Sequence, residues 1–247
     1  MKIIEVFGLS RSGHHAIINW ILKNLCGLES EMKWKLDLLN GMGVIYINEA
    51  NLDIEMTFKY IKDHHKNTKY LVLSYENVDE NYTILNEKKL YDSPVCVGLP
   101  FESKIEKVYR ITVLRDFYNN LASRLKVNKE NKVKHRDGTV FQWDVEENFI
   151  NLWKSYARNS VEGRNNYIKF EDWYLDDEIR KKFLKETLDL TQLYDNKVKG
   201  THSSFGDDNY MNRFDGKELP EKTKKLIEED TELHYLIGRL KYNYKKL

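Results

Sequence analysis

Eight residues near the start of the chain, Gly8-Leu9-Ser10-Arg11-Ser12-Gly13-His14-His15, have the make-up of an anion-binding turn. Glycines let a backbone turn tightly and let a ligand come close to it. Such a turn aims successive N–H groups inward, and the start of a following helix adds partial positive charge. Arg11 supplies a planar fork of donors that suits phosphate oxygens. Ser12 adds a hydroxyl. The glycine spacing is that of a Walker A loop. His14, however, stands at that loop's lysine position and His15 at its Ser/Thr position. The lysine is the usual β/γ-phosphate contact and the hydroxyl the usual magnesium ligand, so the exchange argues against an ATPase or kinase. A tight turn that binds nothing is the plain alternative.

A second pair lies further on. Arg115 ends an apolar run, VYRITVL, and Ser123 follows eight positions later in a helical pattern. An arginine at a strand's C-terminal end and a serine two helical turns on can converge on one anion. The ordinary alternatives are a surface arginine paired with Asp116 and a small helix residue.

Four side chains are candidates for a general base. Glu76 follows the run KYLVLSY and Glu49 follows VIYI, so both should stand where strands end and ligands bind. His14 and His15 stand at a helix N-terminus, which favours neutral imidazole and suits donation to an anion. A solvated loop acid is the ordinary reading of either glutamate. The adjacent pairs His14-His15 and His64-His65 should diverge on a helix, which makes them poor ligand sets, and no metal is expected.

These positions need elements to hold them. Lys2 to Leu9 reads as a buried strand, and His14 to Leu25 switches to helical spacing with Ile18, Ile21, Leu22 and Leu25 on one face. Short strands are predicted at Val44 to Ile47, Lys69 to Tyr75, Val108 to Leu114 and Tyr167 to Phe170. Helices are predicted at Asp53 to Lys66, after Asp116, at about Asp144 to Asn159, at Ile179 to Leu188, and once more from Pro220 to the end. Residues 76–106, 126–139 and 200–215 read as loops. Alternating strands and helices imply an α/β fold of three αβα layers around a mainly parallel sheet, like that of P-loop NTPases. The expected domain is a single one over residues 1–247.

Composition narrows the partners. Forty basic residues face thirty-nine acidic ones, for a formal charge of +1 in 247 residues, so the whole chain has no nucleic-acid footprint. The basic stretch from Lys126 to Arg136 has no interleaved aromatic residues and reads first as a solvated excursion. No run is long and apolar enough to span a bilayer, and the N-terminus lacks a signal-peptide pattern. Only Cys26 and Cys96 are present, which suits a reducing compartment, and a cytoplasmic location is expected.

Taken in order, these motifs resemble those of the PAPS-dependent sulfotransferases (PAPS is 3′-phosphoadenosine-5′-phosphosulfate). Gly8 to His15 is similar to the family's loop for the 5′-phosphosulfate, with His14 where threonine is common. Leu114-Arg115-Asp116 and Ser123-Arg124 resemble its 3′-phosphate motif. Lys169-Phe170-Glu171-Asp172 resembles the family's acidic turn. Lys199-Gly200, or His202-Ser203-Ser204-Phe205-Gly206 beyond it, resembles the late loop that closes over the nucleotide. The match in order covers roughly residues 1–206. The resemblance implies sulfuryl transfer from PAPS to a hydroxyl or amine of a small molecule or saccharide, leaving adenosine 3′,5′-bisphosphate, without a metal. It implies donor contacts from Arg11, Ser12, Gly13, His14, His15, Arg115, Ser123, Lys199, Gly200 and Ser204. Glu76 is the favoured base, and Arg11 and His14 would act on the transferring group. A P-loop small-molecule kinase and an inactive nucleotide-binding module are the rival readings.

Overall fold

Apolar residues occupy both faces of the first strand. Ile3 and Phe7 enter one core cluster while Ile4 and Val6 enter another, so the strand must be covered on both sides. The structure, a computed structural model, describes residues 1–27, 42–48, 68–78, 105–130, 142, 144–164, 166–190 and 219–241. Its strands are β1 (Lys2–Gly8), β2 (Val44–Ile47), β3 (Tyr70–Glu76), β4 (Lys107–Leu114) and β5 (Asn166–Lys169). They form one sheet in the order β2-β3-β1-β4-β5, and every neighbouring pair is parallel. Parallel strands deliver their C-terminal ends to one rim. Gly8 of β1 is in register with Glu76 of β3 on one side and with Val113 of β4 on the other.

The helices are α1 (His14–Cys26), α2 (Phe117–Glu130), α3 (Glu147–Val161), α4 (Phe170–Leu175), α5 (Asp177–Leu188), α6 (Glu221–Glu229) and α7 (Thr231–Arg239). On one sheet face, Phe117, Phe149, Trp153 and Tyr156 join residues of α6 and α7 in a core with Ile3, Phe7 and Tyr75. On the other, Ile17, Trp20 and Ile21 of α1 pack with Trp173 and Leu184 against Ile4, Val6 and Val72. The fold is therefore a three-layer αβα sandwich around a parallel sheet, as the alternation of elements implies.

Some boundaries differ from the sequence reading. Buried Val127 gives α2 a further turn of apolar contact, so Lys126 to Glu130 is helix rather than excursion. Phe170 begins the short helix α4 instead of ending β5. Asp176 separates α4 from α5, and its Oδ1 accepts the Glu178 and Ile179 amides at 2.8 and 3.3 Å. The predicted final helix is two helices, broken at Asp230. The Asp230 carboxylate accepts the Leu233 amide at 2.9 Å and meets Lys154 Nζ at 2.7 Å. The predicted helix at 53–66, the loop at 200–215, and most of 76–106 and 126–139 lie outside the described residues. Among the described residues no helix is long and apolar enough to cross a membrane.

Candidate anion-binding site

The loop between β1 and α1 takes its shape from two left-handed residues, Arg11 (φ 71°) and Gly13 (φ 84°). Left-handed residues interspersed in a turn direct successive amides to one side. The Ser12 amide closes the turn onto the Leu9 carbonyl at 3.0 Å. Gly13 begins α1 without a side-chain cap, and the first turn of that helix carries no acid. The helix start therefore keeps its partial positive charge unopposed from within its own sequence. Gly13 also has no room for a side chain, since a Cβ there would lie 2.0 Å from the Phe170 ring.

Three of the expected anion contacts come together on this loop. Arg11 Nε donates to Ser123 Oγ at 3.3 Å. Arg115 Nη1 donates to the Arg11 carbonyl at 2.7 Å, and its guanidinium carbon lies 5.1 Å from the Phe170 ring centre. Arg115 and Ser123 are both buried. Ser12 is buried too, and its Oγ has no partner among the described residues. An orphaned buried hydroxyl beside an uncapped helix start and two arginines makes a donor set suited to a phosphate-type anion.

The two histidines face different surroundings. His14 is buried, and its Nε2 lies 3.0 Å from the Val6 carbonyl. A carbonyl can only accept, so Nε2 carries the proton. Burial, with a smaller contribution from His15, pushes the His14 imidazole down to about 3, so it is neutral. Its ring fills the space beside Gly8, where a Cβ would meet ring atoms at 2.7 Å. The expectation of neutral imidazole holds for His14, through burial rather than its place at the helix start, but Nε2 is spent on the strand and not presented to a ligand. His15 is partly exposed, and its Nε2 lies 3.8 Å from Glu76 Oε1. Glu76 stands at the rim beside Gly8, where its parallel strand places it.

His14, His15 and Glu76 each bring a ligand atom within 4.8 Å of the others. The histidine pair thus does not diverge as helix geometry led us to expect. A helix N-terminus with Arg11 beside it opposes a bare cation and favours an anion.

Sequence reasoning missed Asn77 and named Arg124 only beside Ser123, without its bracing role. Asn77, left-handed at φ 56°, donates its amide to the Gly8 carbonyl at 3.0 Å. Its Oδ1 accepts the Ser10 amide at 2.9 Å and Arg124 Nη2 at 3.0 Å, and its Nδ2 donates to Ser10 Oγ. Arg124 also donates to Asn120 Oδ1 at 3.1 Å and to the Asp144 carbonyl at 3.0 Å, and lies 4.4 Å from the Phe149 ring centre. Burial pushes the Arg124 guanidinium down to about 10, against the opposing pull of Asp144 and Glu76. The one available signal was an asparagine just past a strand end, a residue that tolerates the left-handed region. Glu49, Lys199, Gly200 and Ser204 lie outside the described residues.

No family model and no curated protein matches the chain. Two solved structures resemble it. A crystal structure of mouse sulfotransferase SULT7A1 complexed with PAP shares 12% identity and superposes with a TM-score of 0.51, over 98% of this chain and 90% of that one. A sulfotransferase domain from the curacin biosynthetic pathway also shares 12% identity, covers 98% of each chain and scores 0.41, too loose a match to support inference. The first superposition, together with the parallel αβα sandwich, establishes that the chain has a sulfotransferase-type fold.

Proposed function

We propose that the protein transfers a sulfuryl group from PAPS to a hydroxyl or amine of a small molecule or saccharide. The observation that carries this reading is the meeting of Arg11, Arg115 and Ser123 at the uncapped start of α1. The residues a magnesium–ATP site needs at positions 14 and 15 are replaced by histidines. A fold shared with a sulfotransferase described as complexed with PAP points the same way.

When bound, the donor would supply an electrophilic sulfur and a phosphate leaving group. In this reading Arg11, the loop amide of Gly13 and the Ser12 hydroxyl hold the phosphosulfate end and offset charge on the leaving phosphate. Arg115 and Ser123 hold the 3′-phosphate. Lys199, Gly200 and Ser204 are carried over from the family resemblance as the closing loop. Glu76 takes the proton of the acceptor hydroxyl or amine. Glu49 is the reserve candidate for that task. His15 donates toward the transferring sulfonate. His14, whose Nε2 is committed to Val6, holds the loop against β1, and any contact it makes with the donor falls to its buried Nδ1.

Calorimetry with adenosine 3′,5′-bisphosphate and with magnesium–ATP tests the binding half. The bisphosphate should bind more tightly, and the reverse order would overturn the reading in favour of a kinase. Labelled PAPS offered to a panel of hydroxyl and amine acceptors tests the catalytic half. Bisphosphate binding without any labelled product would leave a binding module. Given turnover, Glu76→Gln should lower it roughly 100-fold with donor affinity nearly unchanged. Near-normal turnover would move the base to Glu49 or His15.

A further inference from the structure

Phe170 and Glu171, where β5 passes into α4, touch both parts of the phosphate site, yet neither has a role in the reading above. Glu171 is buried beside Arg115 and Asp116. Its two carboxylate oxygens lie 3.3 and 3.2 Å from the Asp116 amide, at the start of α2. Its Oε1 lies 3.8 Å from Arg115 Nε, and both side chains are more than nine-tenths buried. Phe170 lies beside the Arg115 guanidinium and also against Gly13 of the loop.

Arg115 is thus held from three directions, by the Arg11 carbonyl, by the Phe170 ring and by the Glu171 carboxylate. An arginine side chain has several rotatable bonds, and immobilising it only on ligand binding costs affinity. A buried carboxylate beside Nε removes part of that cost in advance. It sits beside Nε, while the terminal Nη1 donates to the Arg11 carbonyl.

We propose that Glu171 is a positioning residue for Arg115: it fixes the guanidinium before ligand arrives and so sets the affinity for a 3′-phosphate. The role rests on the nucleotide reading above. It makes Glu171 matter selectively for ligands with a 3′-phosphate and only while Arg115 is present.

The test measures binding of adenosine 3′,5′-bisphosphate and of 5′-AMP, which lacks the 3′-phosphate, by calorimetry. The proteins are the wild type, Glu171→Ala, Glu171→Gln, Arg115→Ala and the Glu171→Ala/Arg115→Ala double variant. Glu171→Ala should weaken the bisphosphate by about tenfold, the size of one charge-assisted contact, and AMP by less than about threefold. In the Arg115→Ala background the same change should cost less than about twofold, because the interacting partner is gone. Glu171→Gln keeps an oxygen for the Asp116 amide and guards against a folding defect in the alanine variant. It should remain folded and show a smaller loss, again confined to the bisphosphate. Equal losses on both nucleotides, or a full loss that persists without Arg115, would mark Glu171 as a helix-capping residue and overturn the proposal. Wild-type protein that bound neither nucleotide would instead overturn the nucleotide reading and this role with it.

Discussion

Truncating His14 to alanine removes a buried ring and leaves the Val6 carbonyl without its donor. Cavity formation and a lost buried hydrogen bond together cost about 2–4 kcal/mol. His15→Ala, at a partly exposed position, should cost less than about 1 kcal/mol of stability. Urea denaturation of the two variants measures the difference, and similar losses would contradict the contrast in burial. Glu171 offers a second residue-level check. Its carboxyl is pushed up to about 7 by burial, which outweighs the neighbouring Arg115, while Asp116 adds to the rise. The folded state holds this proton more tightly than the unfolded chain does. The contribution is therefore fully present below the unfolded value near 4.5 and is lost as pH rises through about 7. Relative to Glu171→Gln, wild-type stability should fall over that window by on the order of 3 kcal/mol, as read from denaturation at stepped pH. A flat difference would show that the carboxylate is already ionised at the low end. Arg11, Arg115 and Ser123 are legible in the sequence because residue type and distance from a turn or strand end suffice to suggest their chemistry. Asn77 is not, and Arg124 is read only as the neighbour of Ser123 and not as a brace, because their partners are remote: Ser10 lies 67 positions from Asn77, and Arg124 lies 47 positions from it.

At the scale of elements, the strands announce themselves as short apolar runs bounded by polar residues, and all five are read within a residue or two. The break between α6 and α7 is hidden for an equally physical reason. Leu226, Ile227, Leu233, Leu236 and Ile237 keep helical spacing through Asp230, so periodicity shows one helix where a cap divides two. That cap is testable. Asp230→Ala removes the acceptor for the Leu233 amide and the partner of Lys154, and should cost about 1–2 kcal/mol by chemical denaturation. Asp230→Asn keeps a capping oxygen and loses the charge, so it should cost less. If the two variants lost the same amount, the ion pair with Lys154 would outweigh the cap.

For the molecule as a whole, the site draws on four separate stretches: the loop at 8–15, the end of β3 at 76–77, the β4–α2 junction with Ser123 and Arg124, and the β5–α4 corner at 170–171. The candidate site as described needs all four. Bringing them together requires the parallel sheet to be ordered on both sides of β1, and non-local parallel pairing is slow to form. Phosphate-binding competence should therefore appear late on the folding route, after the rate-limiting barrier. A ligand that recognises only the finished site cannot lower that barrier. In stopped-flow experiments, adenosine 3′,5′-bisphosphate at about one hundred times its Kd should add about 2.7 kcal/mol of stability. Nearly all of it should appear as slower unfolding, with the refolding rate unchanged. A refolding rate that rose with bisphosphate would mean instead that the loop and its arginines assemble early and guide the sheet.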